Sequence, residues 1–495
     1  MKKIKNLHIA IIIIGIIFNS ISLFHPNIWF DEAYSVGIAN KSFSEIWTIG
    51  GNDVHPVLYY WILHIIYLIT NGLGISLNGT IIAYRIFSAV CISILGVLGI
   101  THIRKNFGEK TGILFSFFAF FLPVTCIYFA EVRMYSLAIL LVTTLAIYAY
   151  RLYKDDKNNK NWIIFGVTSL ACIYVHYYGL MAAGIINCVL LGYLLFKKKY
   201  TSVAKIIGFG LIQLIAYIPW VMCLVRQIKN VSKGFWIPLV FPETEMQLIG
   251  MQYIGNLTDN LGFILAVIVY IYVLFRLGVA IKKKEDFKIG VTSVLIYLSV
   301  VLAAIIIAVA MKTSIVYFRY LFVITGLYIF FLSYFIAKEK NKCILGIVCV
   351  GTIIFAAWSN YNQIIEAYCE NNMTQISYLK ENVQPDDVIV FDENNFGTGS
   401  VVALNFTNNK QLYYNPHDWG VEEAYKAFGY QLKIYTNKDF LNECNGRVWI
   451  IDSQNSDNYN ENFNNDDFKL ISRKVIETKY EDYVYNMILV ERVQK

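Results

Sequence analysis

The chain has 495 residues, of which 57% are hydrophobic and only 16% charged. A soluble chain of this length needs far more charge to cover its surface, so an ordinary water-soluble globular protein is excluded. The net charge of +7 is spread over short clusters between apolar blocks, which orients helices in a bilayer and is not a nucleic-acid signal.

The N-terminus reads Met1-Lys2-Lys3-Ile4-Lys5, then a long apolar run. No small-residue cleavage site precedes His25-Pro26, so the run reads as an uncleaved first span near 7–24. Six basic clusters follow the chain: Lys2-Lys3-Lys5, Arg104-Lys105-Lys110, Arg151-Lys154-Lys157-Lys160, Lys197-Lys198-Lys199, Lys282-Lys283-Lys284 and Lys338-Lys340-Lys342. All can face the cytoplasm if two spans separate each neighbouring pair. The stretch Val57 to Thr70 is short for a span and holds His64, which places it along or partly within the outer face. Further spans are expected near 80–103, 111–131, 134–153, 161–177, 178–196, 203–225, 260–280, 289–310, 316–337 and 343–358. The total is about eleven, since roughly 20 apolar residues cross ~30 Å of hydrocarbon. With the N-terminus inside, the C-terminus lies outside the cytoplasm, in a plasma membrane or its equivalent.

From about residue 360 the chain turns polar and rich in Asn and Asp. Short strands are expected at Val388–Phe391, Leu412–Tyr414 and Arg447–Ile451, with helices near 373–382 and 421–428 and a loop over 454–467. The chain therefore divides into a membrane domain, 1–359, and a small α/β domain, 360–495. Seven of the nine Cys lie in or beside apolar blocks and read as packing residues, while Cys369 and Cys444 in the tail are a candidate disulfide.

This topology gathers polar clusters on the outer face. They are Trp29-Phe30-Asp31-Glu32 with Tyr34, Asp53 and His55-Pro56 with Tyr59-Tyr60, Glu131 and Arg133-Met134-Tyr135, His176-Tyr177-Tyr178, and Tyr317-Phe318-Arg319-Tyr320. Ionisable residues at membrane depth are costly and default to function. Each cluster also has a plain reading. Asp31 and Glu32 fit solvated loop charges, and Glu131 and Arg133 fit an ion pair or a snorkelling helix end. His176 fits an aromatic belt beside Tyr177 and Tyr178, Arg319 fits a snorkelling cation, and Asp53 and His55 fit the start of a helix at Pro56.

The order DE-x-Y after the first span, then HP-x-LYY, E-x-RMYSL, Y-x-HYYGL and FRYL resembles the bacterial family 39 glycosyltransferases, over roughly residues 7–340. These are GT-C fold enzymes related to protein O-mannosyltransferases and to the aminoarabinose lipid A transferase. The resemblance implies a polytopic α-helical membrane protein that moves a sugar from a polyprenyl-phosphate donor to an extracytoplasmic glycan, lipid or protein hydroxyl. It implies Asp31 as base in the DE motif, with Glu32 beside it, and Glu131 as the second acid. Arg133, Arg319 and His55 would hold the donor phosphate, and Asp53, Tyr34, Tyr59, Tyr60 and His176 would line the substrate site. The chain departs from the family at His55-Pro56-Val57, where many relatives carry two prolines.

Phosphate is a good leaving group, so one carboxylate base and one or more cations are the minimal machinery, without the general acid that glycoside hydrolysis requires. No cofactor is required by this pattern. Asp31 with Glu32 or Glu131 could hold a divalent cation, although carboxylates alone do not decide it. A transporter or flippase of lipid-linked sugars is the main alternative. It would spread its charges through the bundle depth or show an inverted repeat. Here the charges collect at one face and no repeat is visible. An outer-domain sensor would explain the tail but not Asp31 or Arg319. An O-antigen ligase or polymerase would need a larger central outer loop than residues 226–258 supply.

Overall fold

A computed structural model describes residues 2–233, 235–237, 239–241, 248–253, 259–368, 373–416, 422–429 and 432–493. The helices, in chain order, are α1 (Lys2–Ser20), α2 (Phe30–Ala39), α3 (Phe43–Gly50), α4 (Leu58–Gly72), α5 (Leu77–Leu98), α6 (Glu109–Phe121), α7 (Tyr135–Lys154), α8 (Asn159–Val175), α9 (Tyr177–Phe196), α10 (Tyr200–Lys233), α11 (Asp259–Lys282), α12 (Lys288–Met311), α13 (Thr325–Ile336), α14 (Lys342–Tyr368), α15 (Thr374–Asn382) and α16 (Phe396–Asn405). Among the described residues nine helical segments are long and apolar enough to cross a membrane. The span through α5 runs on as Leu77–Phe107 and that through α13 begins earlier, as Phe318–Ile336.

The other two expected spans are shorter helices, for local reasons. The 111–131 block forms α6, 13 residues long. It stops at Leu122, which is extended (ψ 134°) because Pro123 follows and disfavours the helical region for the residue before it. The 161–177 block forms α8, 17 residues long, and ends where His176 turns extended (φ −166°, ψ 147°). The Val57 to Thr70 stretch forms α4, whose 15 residues are too few to cross ~30 Å of hydrocarbon.

The chain divides into two compact units. The first comprises Met1–Leu23, His55–Tyr59 and Tyr84–Gln363, and the second Phe24–Val54, Tyr60–Ala83 and Ile364–Lys495. The first is a helical bundle in which α7 packs on α8 and α9, and α13 on α6 and α12. Small residues set its closest approaches. A Cβ on Gly326 would lie 1.8 Å from the Thr143 hydroxyl, so glycine is what lets α13 lie against α7 there.

The second unit is built on a six-stranded sheet in the order β3-β2-β1-β4-β6-β5. The strands are β1 (Val388–Asp392), β2 (Lys410–Tyr414), β3 (Leu432–Tyr435), β4 (Arg447–Asp452), β5 (Phe468–Glu477) and β6 (Val484–Arg492). The first four pair in parallel, and β6 joins β4 and β5 antiparallel. Val390, Leu412, Ile450 and Ile488 form one core face with Phe440, Phe463 and Phe468. Cys444 is buried and donates its thiol to the Phe440 carbonyl at 3.4 Å, while Cys369 lies outside the described residues.

Helices α2 and α3 belong to this second unit. Ser42 and Glu45 form a reciprocal capping box that starts α3. Asp31 and Glu32 occupy the first turn of α2, where negative charge suits the helix dipole. α2 packs on α16 and on the helical turn Glu422–Ala427. A Cβ on Gly37 would sit 2.4 Å from the Ala427 carbonyl oxygen, a backbone atom that cannot swing aside. Gly37→Val is therefore expected to destabilise this unit by ~1–3 kcal/mol, as overpacking does. The check is the thermal melting of purified protein, with Gly278→Ala as control, because nothing lies within 4 Å of a Cβ at Gly278.

Candidate active site

In the first unit, His55 and His176 stand together with their ring centroids 5.1 Å apart. Tyr320 packs edge-on against His55 at 5.9 Å and tilted against His176 at 5.5 Å, and Tyr135 reaches His176 at 5.8 Å. Local structure fixes His176. It breaks the chain between α8 and α9, and its Nδ1 accepts the Tyr178 N–H at 3.1 Å, capping α9. That bond leaves the ring proton on Nε2. Nε2 is buried and has no hydrogen-bond partner among the described residues, and the same holds for Nδ1 of His55.

Burial first, then the Arg133 guanidinium, pushes the His176 imidazole down to about 3. Burial also holds His55 well below its ordinary value, with further lowering from His176, Arg133 and Arg319. Both rings are therefore neutral near pH 7, each with an N–H to donate, beside two cations. Arg133 is buried. The Arg319 guanidinium lies 4.9 Å from the Tyr317 ring centroid and 5.5 Å from that of Trp236, positions that favour a cation over an aromatic face. Two guanidinium groups and two neutral imidazoles with spare nitrogen make a receptor for an oxyanion, whose charge would offset the mutual repulsion of the cations.

The depressed His176 value carries a stability consequence. Between about pH 3 and pH 6.5 the unfolded chain binds a proton there that the folded chain does not, so stability rises with pH and falls on acidification. Asp392 and Asp452 act with the opposite sign, because burial raises them to about 7 and about 6 and their contribution is lost as pH rises. The His176 share is thus read as a difference. On going from pH 7 to pH 5 the wild type should lose more thermal stability than His176→Asn, whose side-chain oxygen can keep the Tyr178 cap. Parallel melting curves would remove His176 as the source.

Glu131 is partly exposed, and its carbonyl accepts the Ser88 hydroxyl of α5 at 2.7 Å, tying the Glu131–Arg133 segment to that span. One turn before Ser88 lies Arg85, which is fully buried. Reading the sequence for clusters at span ends missed it, because Arg85 sits inside the 80–103 apolar block. A lone arginine within such a block was the signal. Tyr59 is fully buried, with its ring 6.3 Å from Phe87 of the same span.

The second unit holds the remaining candidates. Asp31 is partly exposed, while Glu32 is buried. The Phe30 N–H donates to the Tyr483 hydroxyl at 3.3 Å, and the Asp31 carbonyl accepts the Ser35 hydroxyl at 3.0 Å. These bonds fix the start of α2. Tyr34 and Tyr60 are buried against each other at 5.8 Å, and Tyr34 also meets Phe428 at 5.9 Å, so both rings serve the packing of this unit. Asp53 is partly exposed and donates its N–H to the Gly50 carbonyl at 3.2 Å. Among the described residues no group of three or more His, Cys, Asp or Glu side chains is placed to hold a metal ion. Asp31 and Glu131 fall in different units.

No family model matches this sequence, and no curated protein matches it. The fold does have a solved counterpart, the crystal structure of ArnT from Cupriavidus metallidurans in the apo state. It matches with a TM-score of 0.61 over 98% of this chain and 97% of that one, at 9% identity. This chain has the GT-C fold. At that identity the likeness is one of architecture, a polytopic helical bundle with a small C-terminal α/β domain.

Proposed function

We propose that this chain is an inverting glycosyltransferase that moves a sugar from a polyprenyl-phosphate donor to an acceptor hydroxyl at the extracytoplasmic membrane face. The observation that carries this reading is the cluster of His55, His176, Arg133 and Arg319 in a chain with the GT-C fold. It brings cations and neutral N–H donors to one place, which is what a departing phosphate needs.

In the proposed reaction the acceptor oxygen attacks the anomeric carbon from the face opposite the phosphate. The new C–O bond forms as the bond to the phosphate oxygen breaks. The electron pair leaves with the polyprenyl phosphate, and the acceptor proton goes to Asp31. Arg133 and Arg319 hold the phosphate because a planar guanidinium stays charged and can bind two oxygens at once. Arg85 is a further cation for the same phosphate, because an arginine buried in a span defaults to function and it lies one turn before the Ser88 that holds the Glu131 carbonyl. His55 and His176, being neutral, donate hydrogen bonds without taking the proton. Glu131 orients the acceptor. Residues 1–359 form the catalytic membrane domain with a cytoplasmic N-terminus, and residues 360–495 lie outside. The donor's long chain stays in hydrocarbon while its head group reaches the site.

The test is label transfer from polyprenyl-phosphate sugars to envelope acceptors by purified protein. Release of polyprenyl phosphate must match sugar transferred one for one. Transfer without carrier release would contradict a displacement at the anomeric carbon.

A further inference from the structure

A cavity of about 280 Å³ lies in the first unit, well away from the histidine cluster. Its walls come from the second halves of α7 and α9, the first part of α12 and the first half of α13, with Thr143 and Gly326 at one end and Tyr150, Tyr153 and Tyr193 at the other. It is roughly twice the size of a ~150 Å³ apolar cavity that admits benzene. Along α7 it extends from Thr143 to Tyr153, which at ~1.5 Å per residue is ~15 Å. That is half of the ~30 Å hydrocarbon core, the depth of one leaflet.

Its tyrosine end is the basic end of the bundle. The Lys154 ammonium lies 5.7 Å from the Tyr150 ring centroid and 6.0 Å from that of Tyr153. Lys199 lies 5.7 Å from the Tyr193 ring but is engaged with Asp156 at 2.6 Å. The cavity is therefore mostly apolar through one leaflet and has the Lys154 ammonium at that leaflet's surface, with the Asp286 carboxylate also acting on Tyr150. Tyr135, at the histidine cluster, lies eight residues before Thr143 on α7, ~12 Å further along. A lipid whose head group rests at Lys154 thus has its polar group at the opposite end of α7 from Arg133.

We propose that this cavity binds one acyl chain of an anionic phospholipid, with the lipid phosphate against Lys154. The cavity is partly open and its lining is mostly apolar, so an acyl chain seated in it gains dispersion contacts along its length. The cation at the mouth selects the anionic head group. This site is independent of the sugar-transfer reading, because it requires only that the bundle lie in a bilayer.

Native mass spectrometry of the delipidated full chain in detergent tests it, with phosphatidylglycerol and phosphatidylcholine of identical chains as probes. The wild type should bind one phosphatidylglycerol about 10-fold more tightly than phosphatidylcholine. Ala146→Trp, which fills the cavity from α7, should abolish that tight site. Lys154→Glu, an exposed change that spares the fold, should bind both lipids alike. Unchanged affinity in folded Ala146→Trp, a head-group preference that survives Lys154→Glu, or displacement of phosphatidylglycerol by one equivalent of polyprenyl phosphate would each overturn the proposal.

Discussion

Asp31→Asn is expected to lower sugar transfer by about 10²–10⁴-fold while the protein inserts and melts as the wild type does. A positioned base contributes a factor of that size, and Asn keeps the shape of the side chain while removing its basicity. The start of α2 also keeps two hydrogen bonds that do not involve the carboxylate. The Phe30 N–H is held by Tyr483, and the Asp31 carbonyl by Ser35. Loss of transfer with unchanged melting would separate chemistry from folding. Near-full transfer by Asp31→Asn would remove this residue as the base.

Arg133→Gln should cost about 10²–10³-fold in kcat/KM for the lipid donor, the usual effect of removing one donor group from developing negative charge. Arg133→Lys should recover only part of it, because an ammonium cannot grip two phosphate oxygens in one plane. A second readout follows from its neighbours. Arg133 helps to hold His176 and His55 neutral, so its removal should raise both imidazoles and extend the acid limb of the pH–rate profile upward. An Arg133→Gln enzyme with wild-type kcat/KM and an unchanged pH profile would mean that the phosphate is held elsewhere.

Much of the fold was legible because hydrophobic runs and basic clusters act locally. Nine of the expected spans coincide with helices long and apolar enough to cross a bilayer. The two that are shorter show what averaging hides. The run over 111–131 is apolar enough to read as one span, yet a single proline at 123 forces Leu122 out of the helix. In the tail, β1, β2 and β4 were visible as compact apolar runs that end up buried. The strands β3, β5 and β6 were not, and in β5 nearly all of Phe468–Glu477 is solvent-facing and carries no clean alternation. The loop expected over 454–467 contains a short helical turn at Tyr459–Phe463.

For the candidate site, sequence spacing brought up His55, Arg133, His176 and Arg319 separately, and only the bundle shows the rings of His55 and His176 in contact. That meeting joins residues 121 positions apart, a separation that no periodicity encodes. Arg85 escaped because hydropathy over the span outweighs one charge. Tyr34 and Tyr60 were expected to line the substrate site from the resemblance, and their burial against each other is a tertiary contact that the sequence does not encode.

The most direct measurement is sugar transfer by the purified full-length protein from a panel of radiolabelled polyprenyl-phosphate sugars to crude envelope acceptors, with Asp31→Asn and Arg133→Gln in parallel. The proposed function predicts that at least one donor passes its label to an acceptor and that both variants lose this transfer. No transfer from any donor, alongside protein-dependent movement of the lipid-linked sugar across liposomes, would contradict it and establish a flippase.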